Sequence, residues 1–352
     1  MFVTHHQKKE GRHIHVPASF GSQWGISHAA AQIEGILKAS PGEFVSGEQI
    51  CRKLEVSRSG VWKAIQDLRR HGYRIRASKH HGYRLVHVPD FLQPEIVRDG
   101  LRTRVLGRDI FSFRRVSSTN DVGVYLAEHG APDGCVVTAE GQWRGRGRLR
   151  RRWVSPAGKG LCFSVLLRPA LASVHAQVLT FLAAVAAAKA MRAVCGAQVS
   201  LKWPNDLMVD GRKVGGVLTE FSAEADLIRY AVVGIGLNVN MNSRDFGSAL
   251  RGSAVSLLQI VGGRVARVKL LRAVIEEMDS RYETVKDGGD PAGIVKEWRE
   301  MTPIVGSIVR VEHLGHAKEG TVAGVDDDGA LLLRGTSGTL ERLMAGDVTI
   351  LR

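Results

Sequence analysis

VSLKWPNDLMVDGRKVGGVLTEFSAEADLIRYAVVGIGLNVN, residues 199–240, carries three apolar runs at short spacing, over 199–203, 213–221 and 228–239. Asp210-Gly211 and the stretch 223–226 separate the runs, and such connections join neighbouring antiparallel strands. Strands that follow one another in this way, with helices before and after, imply an α+β domain on a largely antiparallel sheet. The flanks agree. Residues 110–116, 135–139 and 161–167 read as further strands, 173–194 as a long helix with a broad apolar face, and helices near 268–286 and 292–300 close a domain spanning 91–302.

Residues 27–90 have a different rhythm. A helix over 28–39 places Ile33, Ile36 and Leu37 on one face, and Pro41-Gly42 ends it. Ser46 caps a second short helix, and Ser57 caps a third over 58–71. Val61, Ile65 and Leu68 turn inward, so Arg58, Ser59, Trp62, Lys63 and Gln66 face outward. Two short strands, 73–76 and 83–86, follow around the basic turn Lys79-His80-His81-Gly82. This order is a winged helix-turn-helix. Its third helix would enter a major groove, with Lys79 of the wing near phosphates; Ser46 and Ser57 complete the candidate DNA-contacting set. A winged helix used for protein contacts is the competing reading; a charge of +5 over 27–90 favours DNA.

The 352 residues suffice for two or three domains, and 44% hydrophobic with 24% charged residues excludes a wholly disordered or fibrous chain. Lys+Arg outnumber Asp+Glu by 49 to 35, a net +14 that points to a polyanionic partner. The longest nearly apolar run, 178–188, is shorter than the roughly 20 residues of a membrane span. No N-terminal stretch reads as a signal peptide, and Cys51, Cys135, Cys162 and Cys195 form no CxxC pair. A cytoplasmic protein without a membrane partner is the expectation. Residues 1–26, with His5, His6, His13 and His15, read as a disordered tail. Residues 303–352 hold five short strands with turn signals, which suggests a small SH3-like β-barrel.

Four strings carry chemistry. GQWRGRGRLRRRW at 141–153 places six arginines within 144–152, and Gly145 and Gly147 let the backbone approach a ligand closely. Arginines at this density suit phosphate or carboxylate, and Trp153 offers a flat face for a purine; a basic patch for RNA is the plainer alternative. Lys202, at a strand end before Trp203-Pro204-Asn205-Asp206, is a fixed positive charge or simply a solvated turn lysine. Gly215-Gly216 lets another group lie on the sheet. Ser118-Thr119-Asn120 opens a helix with hydroxyl, amide and N–H groups that bind a polar ligand or only cap the helix.

Taken in order, Ser118-Thr119-Asn120, Gln142 with GRGR at 145–148 and Trp153, KWPND at 202–206, KVGGVLTE at 213–220 and GIGLNVN at 234–240 resemble the biotin–protein ligases. SGEQICRKLEVSRSGVWKAIQDLRRHGY at 46–73 and GYRLV at 82–86 are similar to the branch that is also a biotin operon repressor. The resemblance covers about 27–352. It implies an α+β multidomain chain: an N-terminal winged helix-turn-helix, a central class II synthetase-like mixed/antiparallel sheet with helices, and a C-terminal SH3-like β-barrel.

It further implies an ATP-dependent enzyme that forms biotinyl-5′-AMP and transfers biotin to a lysine of a biotin carboxyl carrier protein domain. The adenylate would also serve as corepressor, the chain forming a homodimer on adenylate binding to read operator DNA. By similarity, Ser118, Thr119, Asn120 and Gln142 hold the biotin head, and Gly215 and Gly216 form the pocket floor. Arg146, Gly147 and Arg148 wrap the carboxylate and the adenylate phosphate. Lys202 contacts biotin and the α-phosphate region and, with Arg146 and Arg148, is the catalytic set. Gly145, Trp153 and Asn238 lie with Arg148 and Lys202 on the ATP side, and Asn205 and Asp206 are candidates for Mg²⁺. Arg150 stands where the family usually has glycine, which restricts the backbone after the binding segment. A sensor-repressor with decayed ligase activity, or a lipoate- or octanoate-transferring relative, is the alternative; Lys202, Gln142 and the KWPND and GRGR strings favour the biotin ligase.

Overall fold

The computed structural model describes residues 16–17, 20–23, 26–313 and 315–351. The tail expected over 1–26 lies mostly outside them, but strand β1 (Gly21–Gln23) falls within and is built into the central sheet. Helices α1 (His28–Lys38), α2 (Gly47–Leu54) and α3 (Arg58–Arg70) and the hairpin of β2 (Arg74–Ser78) and β3 (Gly82–His87) make the winged helix. Its boundaries are written locally. Ser46 Oγ accepts from Glu48 N at 3.2 Å while Gln49 Oε1 accepts from Ser46 N at 3.2 Å, a capping box. Glu55, at φ 54°, ends α2, and Ser57 Oγ accepts from Gly60 N to start α3. Ile33, Leu37, Ile50, Ile65 and Leu68 are all buried between the three helices.

After α4 (Pro94–Arg98) come β4 (Ile110–Val116), α5 (Thr119–Glu128), β5 (Val136–Ala139), β6 (Leu161–Leu167) and α6 (Ala176–Cys195). Then follow β7 (Ser200–Lys202), β8 (Asp206–Val209), β9 (Arg212–Glu224) and β10 (Leu227–Leu237), with helices α7 (Leu257–Val261), α8 (Arg267–Tyr282) and α9 (Ala292–Glu300). The eight-stranded sheet runs β1-β4-β5-β6-β10-β9-β8-β7. Among the described strands only β4 and β5 pair in parallel, so the sheet is mixed with antiparallel pairing dominant. Strand β8 is an addition to the sequence reading. KWPND forms the turn of a hairpin, and Asp210 (φ 49°) and Gly211 (φ 72°) make the next one. Helix α6 extends the apolar run to a length that would cross a membrane, but 72% of its apolar window is buried in the protein, where Phe181 stacks on Trp298 of α9 at 4.2 Å.

The winged helix is tied to this domain by its exit segment. Asp90 accepts from the backbone N–H of Arg267 and Val268 at the start of α8, at 3.1 and 3.0 Å. The Arg267 side chain, 2% exposed, pairs with both Asp90 and Glu140, and Glu140 Oε1 accepts from Leu92 N at 2.8 Å. Removing one partner of the buried Arg267–Glu140 pair would cost several kcal/mol, so this pair anchors the exit segment.

The C-terminal strands β11 (Ile308–His313), β12 (His316–Val325), β13 (Leu331–Arg334), β14 (Leu340–Leu343) and β15 (Asp347–Ile350) correct the expected SH3-like β-barrel. They form an open sheet in the order β14-β13-β12-β11-β15, and among the described residues no ladder joins β14 to β15 to close it. The link between these two strands is engaged elsewhere: Gly346 gives its carbonyl to Arg148, and a Cβ on it would lie 2.5 Å from Val311.

Candidate active site

A cavity of about 410 Å³ opens over β9 and β10. Its floor is bare because three glycines, Gly216, Gly234 and Gly236, face it. A Cβ on Gly234 would stand 2.0 Å from Asn120 Oδ1, and one on Gly236 would stand 2.6 Å from the Trp153 indole. The missing side chains are what let Asn120 and Trp153 lie against the sheet. Gly215 points the other way, toward Leu237, as alternation along a strand requires. The pocket floor is therefore Gly216 with Gly234 and Gly236, and Gly215 does not line it.

One end of the cavity is neutral and polar. Ser118, Thr119 and Asn120 enter it from the start of α5, buried to 3–4% exposure. Gln142 Oε1 accepts from Thr119 N at 2.8 Å. Ser164 of β6, absent from the sequence reading, places its hydroxyl 2.6 Å from Asn120 Oδ1 and 2.7 Å from Thr119 Oγ1. Asn120 Nδ2 donates to Leu218 O and to Glu220 Oε2, at 3.1 and 2.8 Å. Thr119, Asn120, Ser164 and the Gln142 carbonyl oxygen are thus held in orientation by one another and by Glu220.

Cationic side chains line the same cavity. Arg146, Gly147, Arg148 and Trp153 of the basic loop line the cavity, with Gly145 behind them: Trp153 N donates to Gly145 O at 2.8 Å, and a Cβ on Gly145 would meet Trp153 O at 2.6 Å. The loop takes its left-handed residue at Leu149 (φ 53°), one place before Arg150, so the turn does not depend on a glycine at 150. Arg148 donates to Gly346 O at 3.2 Å, and Arg151 pairs with Asp347. Burial pulls the Arg148 guanidinium below its ordinary pKa, opposed by the charges of Asp206 and Asp347.

Lys202 lines the same cavity. So does Lys213, to which the sequence reading gave no role: its ammonium pairs with Asp206 and lies 5.8 Å from the Trp153 ring centroid. The signal was present in KVGG, whose lysine is three residues before Gly216. Asn238 lines the cavity but spends its amide on the carbonyls of Lys213 and Val255, at 3.3 and 3.2 Å. Asn205 donates to Val217 O at 2.6 Å and accepts from Arg148. Among the described residues no three His, Cys, Asp or Glu side chains cluster as a metal site.

On the winged helix, Arg58, Ser59, Trp62 and Lys63 are exposed along α3, with Trp62 at 56%, and Lys79 is exposed in the wing turn. Gln66 is half-buried, while the Ser46 and Ser57 hydroxyls are engaged in capping.

The cavity thus suits a molecule with a polar head and an apolar body, lying beside an anionic one. Residues 112–238 match the Biotin/lipoate A/B protein ligase family, residues 30–84 an HTH domain and residues 304–351 the Biotin protein ligase C terminal domain. The bifunctional ligase/repressor BirA of Bacillus subtilis is 36% identical over 90% of this chain and 96% of its own length. The chain belongs to the bifunctional biotin ligase/repressor family. BirA of Escherichia coli, another member, is 28% identical over 88% of this chain and 94% of its own length. The biotin protein ligase of Aquifex aeolicus, solved in complex with biotin and ATP, superposes with a TM-score of 0.59 at 27% identity, over 70% of this chain and 99% of that one. The family's three parts correspond to the winged helix, the cavity-bearing sheet and the small C-terminal sheet described above.

Proposed function

We propose that the cavity binds biotin by its neutral polar end and ATP by its cationic end, and that the protein is an ATP-dependent biotin–protein ligase and biotin operon repressor. The observation that carries this is one cavity lined both by Ser118, Thr119, Asn120 and Gln142 and by Arg148, Lys202 and Lys213. A biotin carboxylate oxygen attacks the α-phosphorus of ATP, the bond to the bridging oxygen breaks, and pyrophosphate leaves. The ε-amine of a carrier lysine then attacks the acyl carbon and releases AMP. Both steps need positioning and charge stabilisation rather than a protein nucleophile.

Among the site residues, Arg146, Arg148, Lys202 and Lys213 would neutralise carboxylate and phosphate charge, while Trp153 offers its ring to adenine. Lys213, whose ammonium pairs with Asp206 and lies near the Trp153 ring, joins Lys202 as a candidate for the α-phosphate. Asn205 and Asp206 do not fit a protein-held Mg²⁺ site: the carboxylate is paired with Lys213 and the amide with Val217 and Arg148. No step is assigned to a metal held by them; ATP enters as its magnesium complex.

The acceptor is a biotin carboxyl carrier domain, and the repressor function uses operator DNA. Exposed Arg58, Ser59, Trp62 and Lys63 on α3, with Lys79 in the wing, support DNA as the second partner. Homodimerisation is supported by β9, which pairs with β8 as far as Gly216 and continues to Glu224, where among the described residues no strand pairs with its outer edge and Phe221 is 47% exposed. A cytoplasmic location accords with the burial of α6 and with four free cysteines. The test is mass spectrometry of a carrier domain incubated with the protein, biotin and Mg·ATP. One biotinyl group on one lysine supports the reading, and an unmodified carrier with a folded enzyme opposes it.

A further inference from the structure

Arg146 lines the cavity, yet its Nη2 is turned away from it. That one nitrogen lies 2.8 Å from Asp121 Oδ1 and 2.7 Å from Glu220 Oε2. Neither acid lines the cavity, so the guanidinium stands between the cavity and a pair of carboxylates. Both acids are themselves held. Ser117 Oγ donates to Asp121 Oδ2 at 3.0 Å, and Asn120 Nδ2 donates to Glu220 Oε2 at 2.8 Å. The three side chains come from the first turn of α5, the basic loop and β9, and all are partly exposed: 32% for the acids and 40% for the arginine. An arginine at that exposure, on a glycine-flanked loop, would otherwise sample many rotamers.

We infer that Asp121 and Glu220 are positioning residues for Arg146, which fix its guanidinium by one terminal nitrogen so that the remaining N–H groups meet the substrate carboxylate. This rests on the biotin-ligase reading and deepens it by naming what selects the charged form of the substrate. A guanidinium carries five N–H donors in a rigid fork, and anchoring one nitrogen sets the direction of the others. The same acids limit non-productive anion binding, because a second anion at the outer side of Arg146 meets two carboxylates. Asn120 of the biotin-head set shares Glu220 Oε2 with Arg146, so an effect on the carboxylate and an effect on the head must be read apart, which a ligand without the charge does.

The test compares biotin with biotin methyl ester, which keeps the head and chain but lacks the charge. Calorimetric dissociation constants are measured for both on the full chain and on Asp121→Asn, Glu220→Gln, their double variant, and the charge-keeping Asp121→Glu and Glu220→Asp. The inference predicts that the double variant weakens biotin at least tenfold and the ester less than twofold, and that the charge-keeping variants lie closer to wild type than the amides do. Equal weakening of acid and ester would overturn it, since that is what a structural role through Asn120 gives. Tighter biotin binding would also overturn it, because the acids would then be competitors of the substrate. If the folded wild-type chain binds neither molecule, it is the biotin reading itself that fails.

Discussion

Arg148 of the basic loop donates to the carbonyl of Gly346, 3.2 Å away and 198 residues later in the chain. With the Arg151–Asp347 pair, this contact ties the cationic end of the cavity to the C-terminal sheet. The loop that must handle phosphate is thus held from outside its own domain. Asp347→Asn keeps the shape of the side chain and removes its charge. It should raise KM for ATP in pyrophosphate release about three- to tenfold, a loss of order 1 kcal/mol for a half-exposed pair, while the dissociation constant for biotin stays within twofold. Steady-state kinetics with each substrate varied in turn reads both numbers.

Gly234→Ala tests the bare floor. Its Cβ would fall 2.0 Å from Asn120 Oδ1, so Asn120 must leave its place beside Ser164 and Glu220. Biotin affinity should fall by at least tenfold, whereas the fold loses about 1–3 kcal/mol, the usual cost of overpacking. Calorimetry and urea denaturation on the same sample separate the two effects.

Lys213→Ala removes the ammonium fixed by Asp206 and the Trp153 ring. If that charge stabilises the α-phosphate in the transition state, single-turnover adenylation should slow by roughly 10²–10³-fold, with a smaller change in biotin affinity. Lys202→Ala, at the other lysine of the cavity, should slow the same step as well.

How far this was legible depends on how local each feature is. The winged helix could be read almost residue by residue, because Ser46, Gln49, Ser57 and the apolar spacing around Val61 act within a few positions of one another. The central sheet was readable from its hairpins, but β8 was hidden inside KWPND, whose tryptophan and proline mask the strand that begins at Asp206. Strand β1 has no periodicity of its own and exists through pairing with β4. The barrel expected at the C-terminus failed for the same reason: five short strands look alike whether or not β14 and β15 meet, and only a long-range contact decides it. Within the site, Gly215 and Gly216 are indistinguishable as letters, and the strand's alternation assigns Gly216 to the cavity.

Glu297 provides a pH test of the helical layer. Burial raises its carboxyl, but hydrogen bonds from Lys189 of α6 and Arg281 of α8 outweigh this and leave it below the ordinary glutamate value. A carboxylate depressed in the folded state contributes stability above the unfolded pKa of about 4.3, and that stability is lost as pH falls through the folded value. Glu297→Gln should therefore cost up to about 1 kcal/mol at pH 7, with the gap to wild type closing below about pH 4 in urea titrations.

The most direct measurement is biotin-dependent release of pyrophosphate from Mg·ATP by the full chain, with and without a biotin carboxyl carrier domain. Release that requires biotin, turns over only when the carrier is present, and ends with one modified lysine is the predicted result. A folded chain that binds biotin yet releases no pyrophosphate would contradict the ligase account.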